Sequence, residues 1–161
     1  MRVGLGYDIH RLVPGRPLRL GGVEIPSPVG LLGHSDGDAL LHAVCDALLG
    51  AAALGDLGDH FPDTDPALQG ADSARLLATV LAKVAAAGYR PVNLDATVVA
   101  QQPRLGPHKA AIRQRLAELL GLDPSRVSLK AKSNNGLDAV GQGLAIAAHA
   151  AVLIENLPET P

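Results

Sequence analysis

The stretch AIAAHAAVLI at residues 145–154 is apolar at nearly every position, and it constrains the fold more than any other segment. A strand with one wet face alternates apolar and polar residues, whereas a strand without alternation is covered on both faces. A chain of 161 residues has room for one domain. Its own helices are therefore expected on one face of this strand and another subunit on the other. The core must also be built from small walls. Apolar residues make up 47% of the chain, yet it holds no Trp, two Tyr, one Phe and one Met. Ala, Leu, Val and Ile must fill the interior, and their small side chains suit close approach of one backbone to another.

The same composition excludes several functions. Few aromatics leave no stacking platform for single-stranded nucleic acid. With 14 basic and 16 acidic residues, a net charge of −2, the chain has no electrostatic footprint for a nucleic-acid partner. If it binds phosphate, metal ions and backbone N–H groups must do much of the neutralising. Cys45 is the only cysteine, so no intrachain disulfide forms. Arg2, Asp8, Arg11, Arg16 and Arg19 interrupt any apolar leader. The longest apolar run, 47–54, is far shorter than the roughly 20 residues that cross a bilayer. A soluble cytoplasmic protein with no membrane partner is expected.

Strands are expected at 1–10, where two glycines weaken the pattern, and at 18–26, 92–98, 127–131 and 145–154. In 38–53, Leu40, Leu41, Val44, Ala47 and Leu48 recur at helical spacing, with Ser35 or Asp36 placed to cap the start. A second helix spans 73–87 and stops at Gly88; Pro107 opens a third that Gly121 closes. Residues 55–66 and 133–143 read as loops and 155–161 as a loose tail. Strands and helices mix without strict alternation. The expected class is α+β, a mixed sheet with helices on one face in a ferredoxin-like layer sandwich, as one domain over 1–161.

Four segments can carry chemistry. Asp8 and His10 lie two apart in a strand, so both side chains point the same way and can meet one ion. On the first helix Asp38, His42 and Asp46 form a polar stripe opposite the apolar one. His42 can add a third ligand, with Asp38 or Asp46 holding its other ring N–H. The run from Gly55 to Asp65 is a carboxylate-rich loop that can grip hydroxyls or a second cation. Lys132, Ser133, Asn134 and Asn135 offer phosphate donors at a strand end. Spacing alone leaves each open to a bland reading as solvated surface or ordinary turn.

Taken together these segments resemble the 2-C-methyl-D-erythritol 2,4-cyclodiphosphate synthase family of the non-mevalonate isoprenoid pathway. The matching pieces are GYDIHR (6–11), GHSDGDALLHAVCDALLGAAALGDLG (33–58), FPDTDP (61–66), GADS (70–73), AQQPRLGPH (100–108) and VSLKAKS (127–133). The resemblance implies a homotrimer with active sites between subunits and a cytidine diphosphate ester as substrate. It implies one Zn2+ per subunit on Asp8, His10 and His42, with Mg2+ or Mn2+ as second cation. His34 and Ser133 are implied as the groups acting on the reacting phosphates, Ser133 standing where the family has a threonine. His34 with Ser35 would contact the methylerythritol phosphate. Asp56, Leu57, Gly58, Phe61, Pro62, Asp63, Thr64 and Asp65 would form a mobile substrate loop. Ala100, Gln101, Gln102, Pro103, Arg104, Leu105 and Gly106 would form the cytidine pocket of the next subunit with Ala131, Lys132 and Ser133, beside Asn134 and Asn135.

This sequence departs from the family in two places. Lys132-Ser133-Asn134-Asn135 stands where Thr-Thr-x-Glu is common, so a cation-holding carboxylate becomes the amide of Asn135. Gly141-Gln142-Gly143-Leu144-Ala145 replaces G-R-x-E-G, and Ala139 replaces a Phe, which removes the groups that bind an axial diphosphate in the family. Two other functions fit the residues, a zinc phosphoesterase and a metal-stabilised trimeric binding protein without catalysis.

Overall fold

The computed structural model describes residues 1–158. Its elements are β1 (Arg2–Pro14), β2 (Leu18–Leu20), β3 (Val23–Ile25), β4 (Val29–Leu31), α1 (Ala39–Ala52), α2 (Leu57–His60), α3 (Ser73–Ala86), β5 (Tyr89–Val99), α4 (Lys109–Leu120), β6 (Val127–Lys132), α5 (Asp138–Gly141) and β7 (Ala145–Asn156). Five strands form one mixed sheet in the order β4-β1-β7-β5-β6, and β2 and β3 form a hairpin. The continuously apolar β7 thus lies in the middle of the sheet. Its Ile146, Ala148, Ala150, Val152 and Ile154 are buried in the main core, while Ala145 and Ala147 pack with Val140 of α5.

The two-layer α+β arrangement agrees with the sequence, but the connectivity is not ferredoxin-like. That pattern joins its second and third core strands directly. Here α4 intervenes between β5 and β6, which consequently run parallel, and β7 returns antiparallel between β1 and β5.

The glycines that weaken β1 as a strand have a steric cause. A methyl built on Gly4 or Gly6 would overlap the main-chain carbonyls of Ala47 and Ala43. Helix α1 therefore rests on β1 backbone to backbone. Leucines at these positions would hold the layers apart by a side chain. The buried residues of α1, including Ala43, Ala47 and Ala51 at one-turn spacing, occupy the gap between sheet and helix layer.

The stretch 18–26 is a hairpin and not a single strand, because Gly21 and Gly22 take φ of +64° and +75° and reverse it. Their N–H groups donate to the Asp38 carboxylate at 2.9 and 2.7 Å. Asp38 is fully buried and also accepts from Leu41 N–H at 3.0 Å, so it caps α1 in place of Ser35 or Asp36. Burial pushes its carboxyl above the usual range, against the pull of these three donors.

The loop expected at 55–66 contains α2, nucleated by Asp56 and Asp59, whose carboxylates accept each other's backbone N–H at 3.0 and 3.2 Å. The loop 133–143 contains α5. The tail begins later than expected: Glu155 and Asn156 extend β7 against Arg90 and Tyr89, and the Arg90 guanidinium binds Glu155 at 2.8 Å. Residues 159–161 of that tail lie outside the described residues. Among the described residues no helix is long and apolar enough to cross a membrane.

Candidate metal centre and adjoining pockets

Because α1 sits directly on β1, His42, next to Ala43, is carried over Asp8, two residues beyond Gly6. His42 Nδ1 lies 2.9 Å from Asp8 Oδ2 and 3.1 Å from His10 Nε2, and His10 Nε2 lies 2.8 Å from the same carboxylate oxygen. Two ligand atoms of a tetrahedron with Zn–N bonds near 2.0–2.1 Å stand roughly 3.3 Å apart. The triangle of donors is close to one face of such a figure. His10 Nδ1 is 2.7 Å from the Leu32 carbonyl, a pure acceptor, so Nδ1 donates there and Nε2 is the nitrogen left for an ion. Two nitrogens and a carboxylate oxygen converging within 4.8 Å fit a divalent cation. Burial alone would raise the Asp8 carboxyl. The His10 and His42 rings beside it outweigh this and hold that group well below the usual carboxylate range. For His10, burial pulls its ring down and the Asp8 carboxylate more than compensates, so the ring titrates higher than usual.

The other face of His42 is not held by an aspartate. Asp38 serves the hairpin, and Asp46 accepts from Leu57 N–H at 2.8 Å. His42 Nε2 lies 3.0 Å from both Ser35 Oγ and Ser73 Oγ. Ser73 went unassigned in the sequence, where it reads only as the first residue of a helix behind Asp72. The loop before α1 is braced by Arg16, whose guanidinium donates to the carbonyls of Gly33 and Ser35 at 3.3 and 2.9 Å. His34 Nε2–H donates to the Asp65 carbonyl at 3.0 Å, joining this loop to the carboxylate-rich one.

A cavity of about 260 Å³ lies beside the triad, between His34 and Ser35 on one side and Leu57, Phe61 and Asp63 on the other. Leu68 and Leu76 also line it, an apolar contribution that the sequence did not assign to the site. Asp56, Gly58, Pro62 and Thr64 are exposed along the same loop.

A second cavity of about 760 Å³ lies where β5 and β6 end. Ala100, Gln101, Gln102, Arg104, Leu105 and Gly106 line it with Ala131, Lys132 and Ser133. Pro107 and Lys109 belong to it as well, beyond the expected segment. Pro103, Asn134 and Asn135 are not among its walls. Ser133 Oγ donates to Asn135 Oδ1 at 3.3 Å, and the Asn134 amide donates to Asp138 at 2.7 Å. Asp8, Ala148, Val98 and Ala131 are register partners across the sheet. Three strand spacings, roughly 14 Å, thus separate the triad from the second cavity in one chain.

A model of the YgbB family matches residues 1–155. The chain belongs to the YgbB family. It is 59% identical over 154 residues to a 2-C-methyl-D-erythritol 2,4-cyclodiphosphate synthase of Symbiobacterium thermophilum, covering 96% of this chain and 98% of that one. A solved 2C-methyl-D-erythritol-2,4-cyclodiphosphate synthase in its CDP-bound form superposes with a TM-score of 0.88 at 44% identity, over 96% of this chain and all of that one. The bifunctional IspDF of Campylobacter jejuni superposes with a TM-score of 0.93 at 39% identity over 97% of this chain. The match spans 42% of that longer protein.

Proposed function

We infer that this YgbB-family chain converts 4-diphosphocytidyl-2-C-methyl-D-erythritol 2-phosphate to 2-C-methyl-D-erythritol 2,4-cyclodiphosphate and CMP, a step of non-mevalonate isoprenoid synthesis. The observation that carries this is the convergence of Asp8, His10 and His42 beside a cavity, in a chain 59% identical to such a synthase along nearly its whole length.

In the reaction an oxygen of the 2-phosphate bonds to the β-phosphorus, and the bond from that phosphorus to the CMP oxygen breaks. CMP leaves with the electron pair, and the eight-membered ring closes. Such a transfer needs positioning and charge neutralisation more than covalent help. Asp8, His10 and His42 would hold a zinc ion, which would supply Lewis-acid polarisation of a phosphate oxygen, with Mg2+ or Mn2+ adding further positive charge. His34 and Ser35 hold the methylerythritol phosphate end, with Leu57, Phe61 and Asp63 closing over it. The 100–106 segment and Ala131 receive cytidine through backbone groups and small apolar walls. Ser133 and Lys132 offer a hydroxyl and an ammonium to the phosphates, which suits a site where Asn135 brings no carboxylate to a second cation.

The site is assembled between subunits of a homotrimer. Two features support this: the strand spacings between triad and cytidine cavity, and the open face of β1. Val3, Leu5, Tyr7 and Ile9 are 69%, 79%, 51% and 42% exposed in one row, an apolar stripe that a neighbouring copy would cover. Trimers mixed from His42→Ala and Ser133→Tyr subunits, each inactive alone, are expected to recover part of the parent turnover, since some interfaces then carry neither lesion. No recovery in demonstrably mixed trimers would count against shared sites.

The reaction itself is tested by incubating purified protein with the cytidine diphosphate substrate and Mg2+. CMP and cyclic diphosphate are expected in equal amounts. CMP or inorganic phosphate without the cyclic product would mark a phosphoesterase, and no turnover would mark a binding protein.

A further inference from the structure

Asp36 and Ser73 have no part in the proposed reaction, yet Ser73 touches His42 and Asp36 touches Ser73. Ser73 is 0% exposed, and its hydroxyl donates to Asp36 Oδ1 in a short hydrogen bond. The same carboxylate accepts the Ser73 backbone N–H at 3.2 Å and the Asp38 backbone N–H at 3.2 Å. Asp36 therefore sits at the N-terminus of the 14-residue α3, where a helix favours negative charge.

A serine hydroxyl has one hydrogen. With that hydrogen given to the carboxylate, Ser73 Oγ can only accept from His42 Nε2, 3.0 Å away. Ser35 Oγ is arranged compatibly. It accepts from Gly37 N–H at 3.2 Å, lies 3.4 Å from Ser73 Oγ with its own hydrogen free to point there, and stands 3.0 Å from His42 Nε2. Every hydrogen in the chain then runs toward Asp36, and the His42 tautomer that completes this chain is Nε2–H. Its Nδ1 is left as a lone pair aimed at Asp8 and His10. The opposite tautomer would direct the Nδ1 hydrogen at the Asp8 carboxylate, 2.9 Å away, occupying the lone pair an ion needs, and would require Ser35 to turn its own hydrogen to Nε2.

We propose that Asp36 and Ser73 are positioning residues that lock His42 in its metal-binding tautomer. They form a carboxylate–hydroxyl–imidazole relay behind the ion. A direct carboxylate–histidine contact is the usual form of such support. Here the carboxylate acts at one remove, which lets it also bridge the loop before α1 to the start of α3. The proposal rests on the metal-site reading and refines how that site is built.

The test partitions zinc between the full-length protein and a chelator of known affinity, for the parent, Ser73→Ala, Asp36→Asn and the double variant. Loss of a supporting partner of a metal ligand costs on the order of 10–100-fold in affinity. Ser73→Ala is expected to fall within that range. Asp36→Asn is expected to weaken binding similarly, because its amide can donate to Ser73 Oγ and release the serine hydrogen toward His42. Since both act through one path, the double variant should be little worse than either single one. Long-range imidazole 15N spectra of the metal-free parent should show His42 protonated at Nε2, and Asp36→Asn should populate the other tautomer. A merely structural pair would not move that signature. Parent-like zinc affinity in both single variants, or strictly additive losses with an unchanged tautomer, would overturn the relay while leaving the metal site intact. A parent that holds no zinc would instead remove the metal reading. The tautomer in the metal-free chain still decides the relay in that case: Nε2–H supports it and Nδ1–H ends it.

Discussion

Replacing His42 by alanine is expected to remove the tightly held divalent ion and lower turnover by at least 100-fold, with the chain still folded. Loss of a partner that merely supports a ligand already costs up to about 100-fold, and this variant deletes one of three donors outright. Without it Asp8 and His10 leave a two-point site. The fold should tolerate the change. Alanine is the better helix former, and removing the ring also removes the crowding of His42 Nδ1 on His10 Nε2, 3.1 Å apart. The hydroxyls of Ser35 and Ser73 lose a partner, but each keeps another hydrogen bond. Elemental analysis of gel-filtered protein gives the metal content and the melting transition gives the fold. Full metal content in a folded variant would falsify the ligand assignment.

The second large effect comes from one substitution made at two glycines. Gly6→Ala should cost more than about 4 kcal/mol, which places it among the exceptional destabilising substitutions and near the whole stability of an ordinary domain. The new methyl would meet the Ala43 carbonyl and the Ala47 backbone nitrogen. No rotamer change relieves a collision with main chain, so α1 must lift from the sheet and loosen the interior beneath it. Gly50→Ala is the matched control on α1 itself. A methyl there meets nothing within 4 Å, the residue is exposed, and its backbone is helical. That change should stabilise by about 0.5–1 kcal/mol through helix propensity and a less flexible unfolded chain. Denaturant unfolding of the two variants, compared with the parent, measures both. Similar stability for both variants would mean that the strand–helix contact is slack.

These two cases also show what could be read from residues alone. The long helices were legible: 38–53 and 73–87 were expected where 39–52 and 73–86 are helical, because a buried stripe repeated over three or more turns is a strong signal. The D-x-H pair was legible because strand geometry fixes side-chain direction two residues apart. Gly4 and Gly6 misled locally, since their reason lies in another element that no window around β1 contains. The hairpin at Gly21 and Gly22 was hidden for a related cause: its register is secured by Asp38, 16 and 17 residues further on. Asp38 itself looked like a partner for His42 at one-turn spacing, whereas its side chain turns back to cap the helix. Short elements such as α2, α5 and β4 have too few residues to show a period. Ser73 stands 31 residues from His42, and only the packing of α3 beside α1 brings them together.

The contact between the Gly4–Gly6 segment and α1 has a consequence for how this protein can be altered. The height of the helix above the strand is set by main-chain atoms, and Asp8 and His42 lie two and one residues from that point of contact. Leucine and valine away from the α1–α3 contact can then be exchanged in size with less effect on the distance between Asp8 and His42, since that spacer is not made of side chains. An engineer could redesign that part of the core and keep Asp8 beneath His42. The same arrangement gives the lineage little freedom at the glycines, because no second substitution can make room inside a peptide carbonyl.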